Sequence, residues 1–485
     1  MRTYISISTA LFTMLILGTI LIGCSEKPIK ESKPNILFIF ADDQAYNTIH
    51  AHGNDEISTP ALDKLTSEGV TFTHAYNMGA WHGAVCVASR TMLNTGRFIW
   101  RARRNEKRLK ELATERQLWS QMMEDAGYET YFSGKWHVKI TPDSIFNHVR
   151  HTRPGMPKAT PQGYNRPIEG QQDIWSPYDT TFGGFWKGGK HWSEVLADDA
   201  EIFLENASNS DKPFFMYLAF NAPHDPRQSP KKYVDKYPLE NIAIPESFMP
   251  ENPYNGKIGY GRKLRDERLA PFPRTEYAVK VNLQEYYAII THMDDQIKRI
   301  IAALEKSGKK DNTYIFFTAD HGLACGSHGL MGKQSMYDHS IRPPMIVIGP
   351  DIPKNQQSSA DVYLQDVMAS ALELAGVNKP EFVEFHSLIN LAKNVSATGN
   401  YDAIYGCYTD AQRMIRKDGF KLIVYPKAEA TLLFDMENDP LELQDLNKEA
   451  AYEELKKSLF SELLTLQNTM GDTTDLRSVF PNLIP

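Results

Sequence analysis

Five short apolar runs constrain the fold more than any other feature of this chain. They are "NILFIF", "YETYFSG", "PFFMYLAF", "TYIFFT" and "PMIVIG", each of strand length. The first four stop at a polar cluster: Ala41-Asp42-Asp43, Lys135-Trp136-His137, Asn221-Ala222-Pro223-His224 and Ala319-Asp320-His321-Gly322. The fifth ends at Pro350. Helix-like segments lie between them ("STPALDKLTSEGV", "RQLWSQMMEDAGY", "YYAIITHMDDQIKRIIAALEKSG", "LQDVMASALELAGV"), several closing in Gly as helix C-termini do. Continuous apolar strands alternating with helices predict an α/β fold, a mainly parallel mixed sheet covered on both faces. In such sheets ligands bind beyond the carboxyl ends of the strands. A single Asp-Asp after a strand is equally well a solvated turn. Four polar clusters at four strand ends predict one shared site.

The N-terminus is of another kind. "MRTYISISTALFTMLILGTILIGC" carries Arg2, an apolar run and then Leu21-Ile22-Gly23-Cys24. It reads as a secretory signal over residues 1–24, the alternative being an uncleaved membrane anchor. Leu-Ile-Gly-Cys resembles a bacterial lipobox, which implies lipidation of Cys24 and a membrane partner through a lipid anchor. The expected location is the periplasmic or outer face of a bacterial envelope. A polar linker over 25–33 follows, as a tether should. With Cys24 lipidated, three of the four cysteines remain, an odd number for an oxidising compartment. A bridge between Cys325 and Cys407 is open, and Cys86 is the thiol to explain. The net charge of -7 is spread along the chain with no basic patch, which argues against a nucleic-acid partner.

The 485 residues suffice for one large and one smaller unit. The expected division is a catalytic domain over 34–395 and a C-terminal subdomain over 396–485. There "DAIYGCYTD", "QRMIRKDGFKLIVYP" and "TLLFDMENDP" read as antiparallel hairpins before a closing helix. Two Gly-, Pro- and aromatic-rich inserts, 143–194 and 254–275, read as loops near the site.

The thiol lies in "CVASRTMLNTGR". This resembles the signature of the formylglycine-dependent sulfatases, C-x-P-S-R followed by x5-G-R, and matches it at Cys86, Ser89, Arg90, Gly96 and Arg97. "ADDQ", "GKWH", "NAPHDP", "TADHG", "GKQSMYDHS" and "LFDMENDP" resemble further family segments, in family order along nearly the whole mature chain. The resemblance implies an alkaline-phosphatase-like sandwich and a sulfuric ester hydrolase. In that family a maturation enzyme oxidises the cysteine to Cα-formylglycine. Ala88 stands where the family most often has Pro, which bears on how Cys86 is matured rather than on the later chemistry.

The hydrated aldehyde offers two hydroxyls. One attacks sulfur and expels the alcohol, and loss of the second proton then releases sulfate as the aldehyde re-forms. By resemblance the metal ligands are Asp42, Asp43, Asp320, His321 and residue 86 itself. Carboxylates favour a hard cation, Ca2+ first and Mg2+ next. Cys86 and Arg90 are four residues apart, hence on one face of a helix starting at the cysteine, whose N-terminus favours an anion. Lys135 and Lys333 match the family lysines that clamp the sulfate. His137 matches the residue that takes the second proton, and His224 the one that protonates the leaving oxygen; a histidine pKa near 6.5 suits both tasks.

A phosphonate or phosphate ester hydrolase of the same superfamily, and an inactive glycan-binding lipoprotein, are the competing readings. The expected substrate is a sulfated polysaccharide or oligosaccharide, algal such as ulvan or a glycosaminoglycan. Trp175, Trp186, Trp192, Tyr178 and Tyr254 are candidate stacking faces for sugar rings. Arg227 beside His224, with Arg262, Arg265, Arg268 and Arg274, are candidate anion holders, unless they pair with acids such as Asp266 and Glu267.

Overall fold

Apolar residues on both faces of a strand require cover on both sides, and the first strand meets that requirement. In β1 (Asn35–Ala41) Ile36, Phe38 and Phe40 enter one core, while Leu37, Ile39 and Ala41 enter another on the opposite face. The structure is a computed structural model that describes residues 33–259 and 261–484. Cys24, the signal segment and most of the predicted linker lie outside the described residues.

After β1 come β2 (Val70–Tyr76), β3 (Gly79–Ala80), β4 (Glu129–Lys135), β5 (His148–Arg153), β6 (Phe214–Ala219), β7 (Thr313–Ala319), β8 (Met345–Ile348) and β9 (Gln356–Tyr363). The main sheet has the order β5-β4-β6-β1-β7-β8-β2-β9. Its central strands β4, β6, β1 and β7 are mutually parallel neighbours. These are the four runs that end in polar clusters, so all four clusters emerge at one edge. The fifth run differs: β8 is antiparallel to β7 and to β2, so its Pro350 end points to the opposite edge.

The helices used below are α1 (Pro60–Glu68), α2 (Val85–Thr95), α3 (Ile99–Asn105), α4 (Trp192–Ser208), α5 (Glu276–Lys306) and α6 (Glu453–Met470). One face of the sheet is covered by α4 and α5, which contribute Leu196, Phe203, Ile289, Met293 and Ile297 to its core. The other face packs on Trp119, Met123, Val367 and Leu372. Burying one such aromatic or aliphatic side chain contributes about 1.5–3 kcal/mol, so the two-sided core fixes the central strands firmly.

A second sheet comprises β10 (Ile404–Tyr408), β11 (Gln412–Lys417), β12 (Phe420–Tyr425) and β13 (Ala430–Asp435), ordered β13-β12-β11-β10-β3. It is antiparallel except at β3, which pairs in parallel with β10. Gly79 approaches β10 so closely that a Cβ there would lie 1.9 Å from the Cys407 carbonyl oxygen, and its φ is +90°. The C-terminal sheet is thereby stitched to the segment leading into α2. Cys325 and Cys407 are both free, buried thiols in different apolar clusters, so no bridge joins them.

Candidate active site

Residue 86 is the second residue of α2 and is 3 % exposed. One helical turn on, Arg90 is wholly buried. Its Nε donates to Asp320 Oδ2 at 2.9 Å, its Nη1 donates to the Lys135 carbonyl at 2.8 Å, and its guanidinium covers the Phe40 ring. Arg90 therefore ties the ends of β4 and β7 to α2. Burial raises the Cys86 thiol pKa, but Lys135 and Lys333, with hydrogen bonds from His137 and His321, outweigh it and hold the thiol well below its ordinary range. A field that favours a thiolate at this position also favours an anionic oxygen on a modified side chain.

The carboxylates converge from adjacent strands. Asp42 and Asp43 follow β1 and Asp320 follows β7, and all three are buried. The Asp43 amide donates to Asp320 Oδ1 at 3.2 Å, and the Tyr286 hydroxyl of α5 donates to the Asp43 carbonyl at 2.5 Å. Asp43 holds a left-handed φ of 65° and His137 one of 57°. Such conformations are costly for residues with side chains and are sustained only by their surroundings. Gly155 supplies part of that constraint at His137, since a Cβ there would lie 2.2 Å from the imidazole. The first insert thus does reach the site.

The charges alternate in sign. Lys135 pairs with Asp42, and Lys333 Nζ lies 2.7 Å from both oxygens of Asp43. His321 Nε2 lies 3.2 Å from Asp43 Oδ1 and 3.4 Å from Asp320 Oδ1. Burial alone would raise all three acids. For Asp43 the opposing charges of His224, Lys333 and His321 win and lower it; for Asp320 those of His321, Arg90 and the lysines do the same. At Asp42 burial wins over Lys135 and the pKa is raised well above the usual carboxylate range. His137 Nδ1 sits 3.3 Å from Cys86 Sγ, and burial lowers its pKa.

These residues fit a metal ion. One atom from each of Asp42, Cys86, Asp320 and His321 falls within 4.8 Å of the others, and Asp42, Asp43 and His224 form a second such group. Asp42 Oδ1 is buried with no hydrogen-bond partner among the described residues. Two overlapping groups therefore stand where the sequence led us to expect a single five-residue cluster. A donor set dominated by carboxylate oxygens suits a hard divalent cation.

His224 has a partner that sequence reasoning passed over. Its Nδ1 is 3.0 Å from Asp225 Oδ1, and its Nε2 faces Asp43 Oδ2 at 3.7 Å. Arg265 bridges Asp225 and Asp266, while Gln334 joins Asp266 to the Gly83 carbonyl just ahead of α2. Asp225, Arg265, Asp266 and Gln334 thus form one polar chain from His224 to the helix bearing residue 86. The only signal for Asp225 was its place beside His224.

Other expectations are corrected. Arg227 is 3 % exposed; its Nη1 donates to Asn282 Oδ1 of α5 at 2.7 Å, while its Nε and Nη2 are buried without a hydrogen-bond partner among the described residues. Arg262 pairs with Glu251, Arg265 with Asp225 and Asp266, and Arg274 with Glu267, so these arginines are internal ion pairs. Trp175 and Trp192 are buried, Trp186 and Tyr254 are half-buried, the latter packed on Tyr425, and Tyr178 is exposed.

Comparison with known proteins agrees with this geometry. The family model described as Sulfatase matches residues 34–377, and that described as N-sulphoglucosamine sulphohydrolase, C-terminal, matches 326–469. The chain is 25% identical to an N-acetylglucosamine-6-O-sulfatase of Bacteroides thetaiotaomicron, over 93% of this chain and 89% of that one. It is 26% identical to an ulvan-active sulfatase of Formosa agariphila, over 96% and 88%. A solved structure of a protein in complex with its substrate D-glucosamine-2-N,6-O-disulfate superposes with a TM-score of 0.68 at 24% identity, covering 91% of this chain and 99% of that one. With the first family model spanning well over half of its length, the chain belongs to the sulfatase family, whose members use a divalent metal and a formylglycine.

Proposed function

We propose that the protein hydrolyses a sulfate ester on a sulfated carbohydrate, using a formylglycine made from Cys86 and a bound Ca2+. The observation that carries this reading is residue 86 itself. It is buried at a helix N-terminus, with two lysines, three carboxylates and three histidines gathered from four adjacent strand ends and the loop after β7. When present, the hydrated aldehyde supplies the nucleophilic oxygen and the divalent ion draws charge from the sulfate.

The chain's own residues do the rest. Arg90 and the α2 N-terminus orient the oxygens on residue 86 and favour negative charge there. Lys135 and Lys333 offset the charge of the sulfate oxygens, in a buried site where such a contribution is large. His224, held by Asp225, gives its proton to the alcohol oxygen as the ester bond breaks. His137, beside residue 86, then takes the proton from its remaining hydroxyl as sulfate leaves. Asp42, Asp43, Asp320 and His321 would hold the ion; Ca2+ is favoured over Mg2+ because it accepts a crowded, irregular oxygen set. The nature of the two curated relatives supports a carbohydrate as the alcohol.

Sulfate release from a panel of defined sulfated oligosaccharides, set against aryl and choline sulfate and a phosphonate monoester, tests the reading. Release from at least one saccharide at the highest kcat/KM is expected. Preference for the phosphonate would overturn the sulfatase assignment, and preference for aryl or choline sulfate the carbohydrate assignment. Mass spectrometry of the Cys86 peptide from the native host should find the aldehyde. We further place the protein on the cell envelope through a lipid on Cys24, which the Leu-Ile-Gly-Cys segment supports; Cys24→Ala should release it to the soluble fraction.

A further inference from the structure

A cavity of about 900 Å³ lies outside the two inserts. Its walls are the Trp81-His82 segment ahead of α2, the end of α3, the turn after β10 and the loop after α6. Sites of this volume accommodate ligands larger than a monosaccharide. Trp81 and Trp100 are almost fully buried at its wall, and the Trp81 indole Nε1, itself buried, has no hydrogen-bond partner among the described residues.

The charge of the cavity is unbalanced. Its three acids are each engaged: Asp472 by Arg413, Asp410 by Lys427, and Glu106 by Lys139. Arg103, Arg104 and Lys107 are exposed and have no carboxylate partner among the described residues. Three uncompensated cations in one cavity of a chain with net charge -7 run against the average of its surface. The cavity also adjoins the catalytic face. His82 Nδ1 accepts from the Ala84 amide two residues before Cys86, and Glu106 pairs with Lys139, two residues after His137.

We propose that this cavity is a second binding site, taking a sulfate or carboxylate group on a sugar unit neighbouring the one that is cleaved. Arg103, Arg104 and Lys107 hold the anionic group, and the Trp81 N–H supplies a further donor to the sugar. The assignment rests on the carbohydrate sulfatase reading for its purpose, but its binding chemistry can be tested separately. An arginine fork suits both sulfate and carboxylate.

The test is the triple variant R103S/R104S/K107S, which alters exposed side chains only. Calorimetric binding of sulfated tetrasaccharides from heparin, chondroitin sulfate and ulvan is measured on Cys86→Ala protein, with and without the triple change, at low and high salt. Neutral cellotetraose is the control. At least one sulfated tetrasaccharide should bind, weaken with salt, and lose about tenfold in affinity in the triple variant, equivalent to about 1.4 kcal/mol. With Cys86 intact, turnover of 4-nitrophenyl sulfate should be unchanged by the triple variant, while KM for the bound tetrasaccharide rises. The proposal is overturned if no tetrasaccharide binds, if the triple variant binds as tightly as its parent, or if aryl sulfate turnover falls in parallel. Binding that depends on the three cations in a protein with no sulfatase activity would instead refute the proposed function and leave this site standing.

Discussion

Replacing Lys333 by methionine removes one positive charge from the site while keeping most of the side-chain volume. Lys333 Nζ is 2.7 Å from both oxygens of Asp43, and its side chain is 2 % exposed. A sulfate oxygen sharing that neighbourhood would lie about 4 Å from the ammonium. At an effective dielectric constant near 20, a unit charge at that distance contributes about 4 kcal/mol. If about half of this is gained only as charge develops in the transition state, kcat falls roughly 30-fold; if all of it, about a thousandfold. KM should move much less. The same substitution frees Asp43 from a competing cation, so Ca2+ binding to the metal-depleted protein should be no weaker. Steady-state kinetics on a sulfated oligosaccharide with calorimetric Ca2+ titration separates the two effects. A change in kcat below about threefold, or a kcat loss that follows lost Ca2+ affinity, would refute the charge role given to Lys333. Thermal unfolding must accompany the kinetics, because unpairing a buried charge can cost about 3–5 kcal/mol. His224 and His321 beside Asp43 should hold that figure down.

Cys86→Ala should abolish turnover with an unfolding transition close to wild type, since it deletes one small atom; substantial remaining activity would defeat the nucleophile assignment. Chelation should inactivate the enzyme and Ca2+ restore it, and the bound protein should melt higher than the depleted one; equal melting temperatures would count against the metal site. Arg413 and Gln467 overcome burial and hold Asp472 down to about 2. Its folded-state pKa lies below the unfolded value, so its stabilisation is present above about pH 4 and lost as pH falls through about 2. Discounted for partial solvent access, that is about 1–2 kcal/mol. Asp472→Asn should therefore be less stable to urea at pH 7 and converge on wild type in acid, and a gap that does not shrink in acid would contradict the pairing.

Legibility of the fold followed burial. β1, β6 and β7 are covered on both faces, so their sequences are apolar without interruption, and their polar ends stood out. β5 is "HVRHTR", a charged edge strand, and β9 begins "QQSSAD" at the other edge; neither carries an apolar run. The helix α4 was written plainly in Leu196, Ala200, Phe203, Leu204 and Ala207, yet its acidic outer face and the loop-like residues before it obscured it. In the site, Asp42, Asp43, Lys135, His137, His224, Asp320 and His321 were legible because each ends or follows a strand. Lys333 comes from a long loop and was legible only through its resemblance to a family segment. Asp225 depends on Arg265, forty residues away, and no local pattern shows that pairing. Arg227 was singled out by its place beside His224, and its bond to Asn282 of α5, fifty-five residues away, is another pairing that no local pattern shows.

The pairing of Gly79 and Ala80 with β10 has a consequence for the order of events as the chain is made. The segment entering α2 lacks its strand partner until Cys407 and Tyr408 have been synthesised, more than three hundred residues later. Until then the run from Gly79 through Cys86 has no strand beside it, and in the function proposed above it is open to the enzyme that oxidises Cys86. In the folded protein residue 86 is 3 % exposed and closed in by Lys135, Lys333 and His137. Under the function proposed above, oxidation of Cys86 falls in the interval between emergence of the cysteine and arrival of the last sheet. On that reading the C-terminal sheet sets the time allowed for a modification made far upstream.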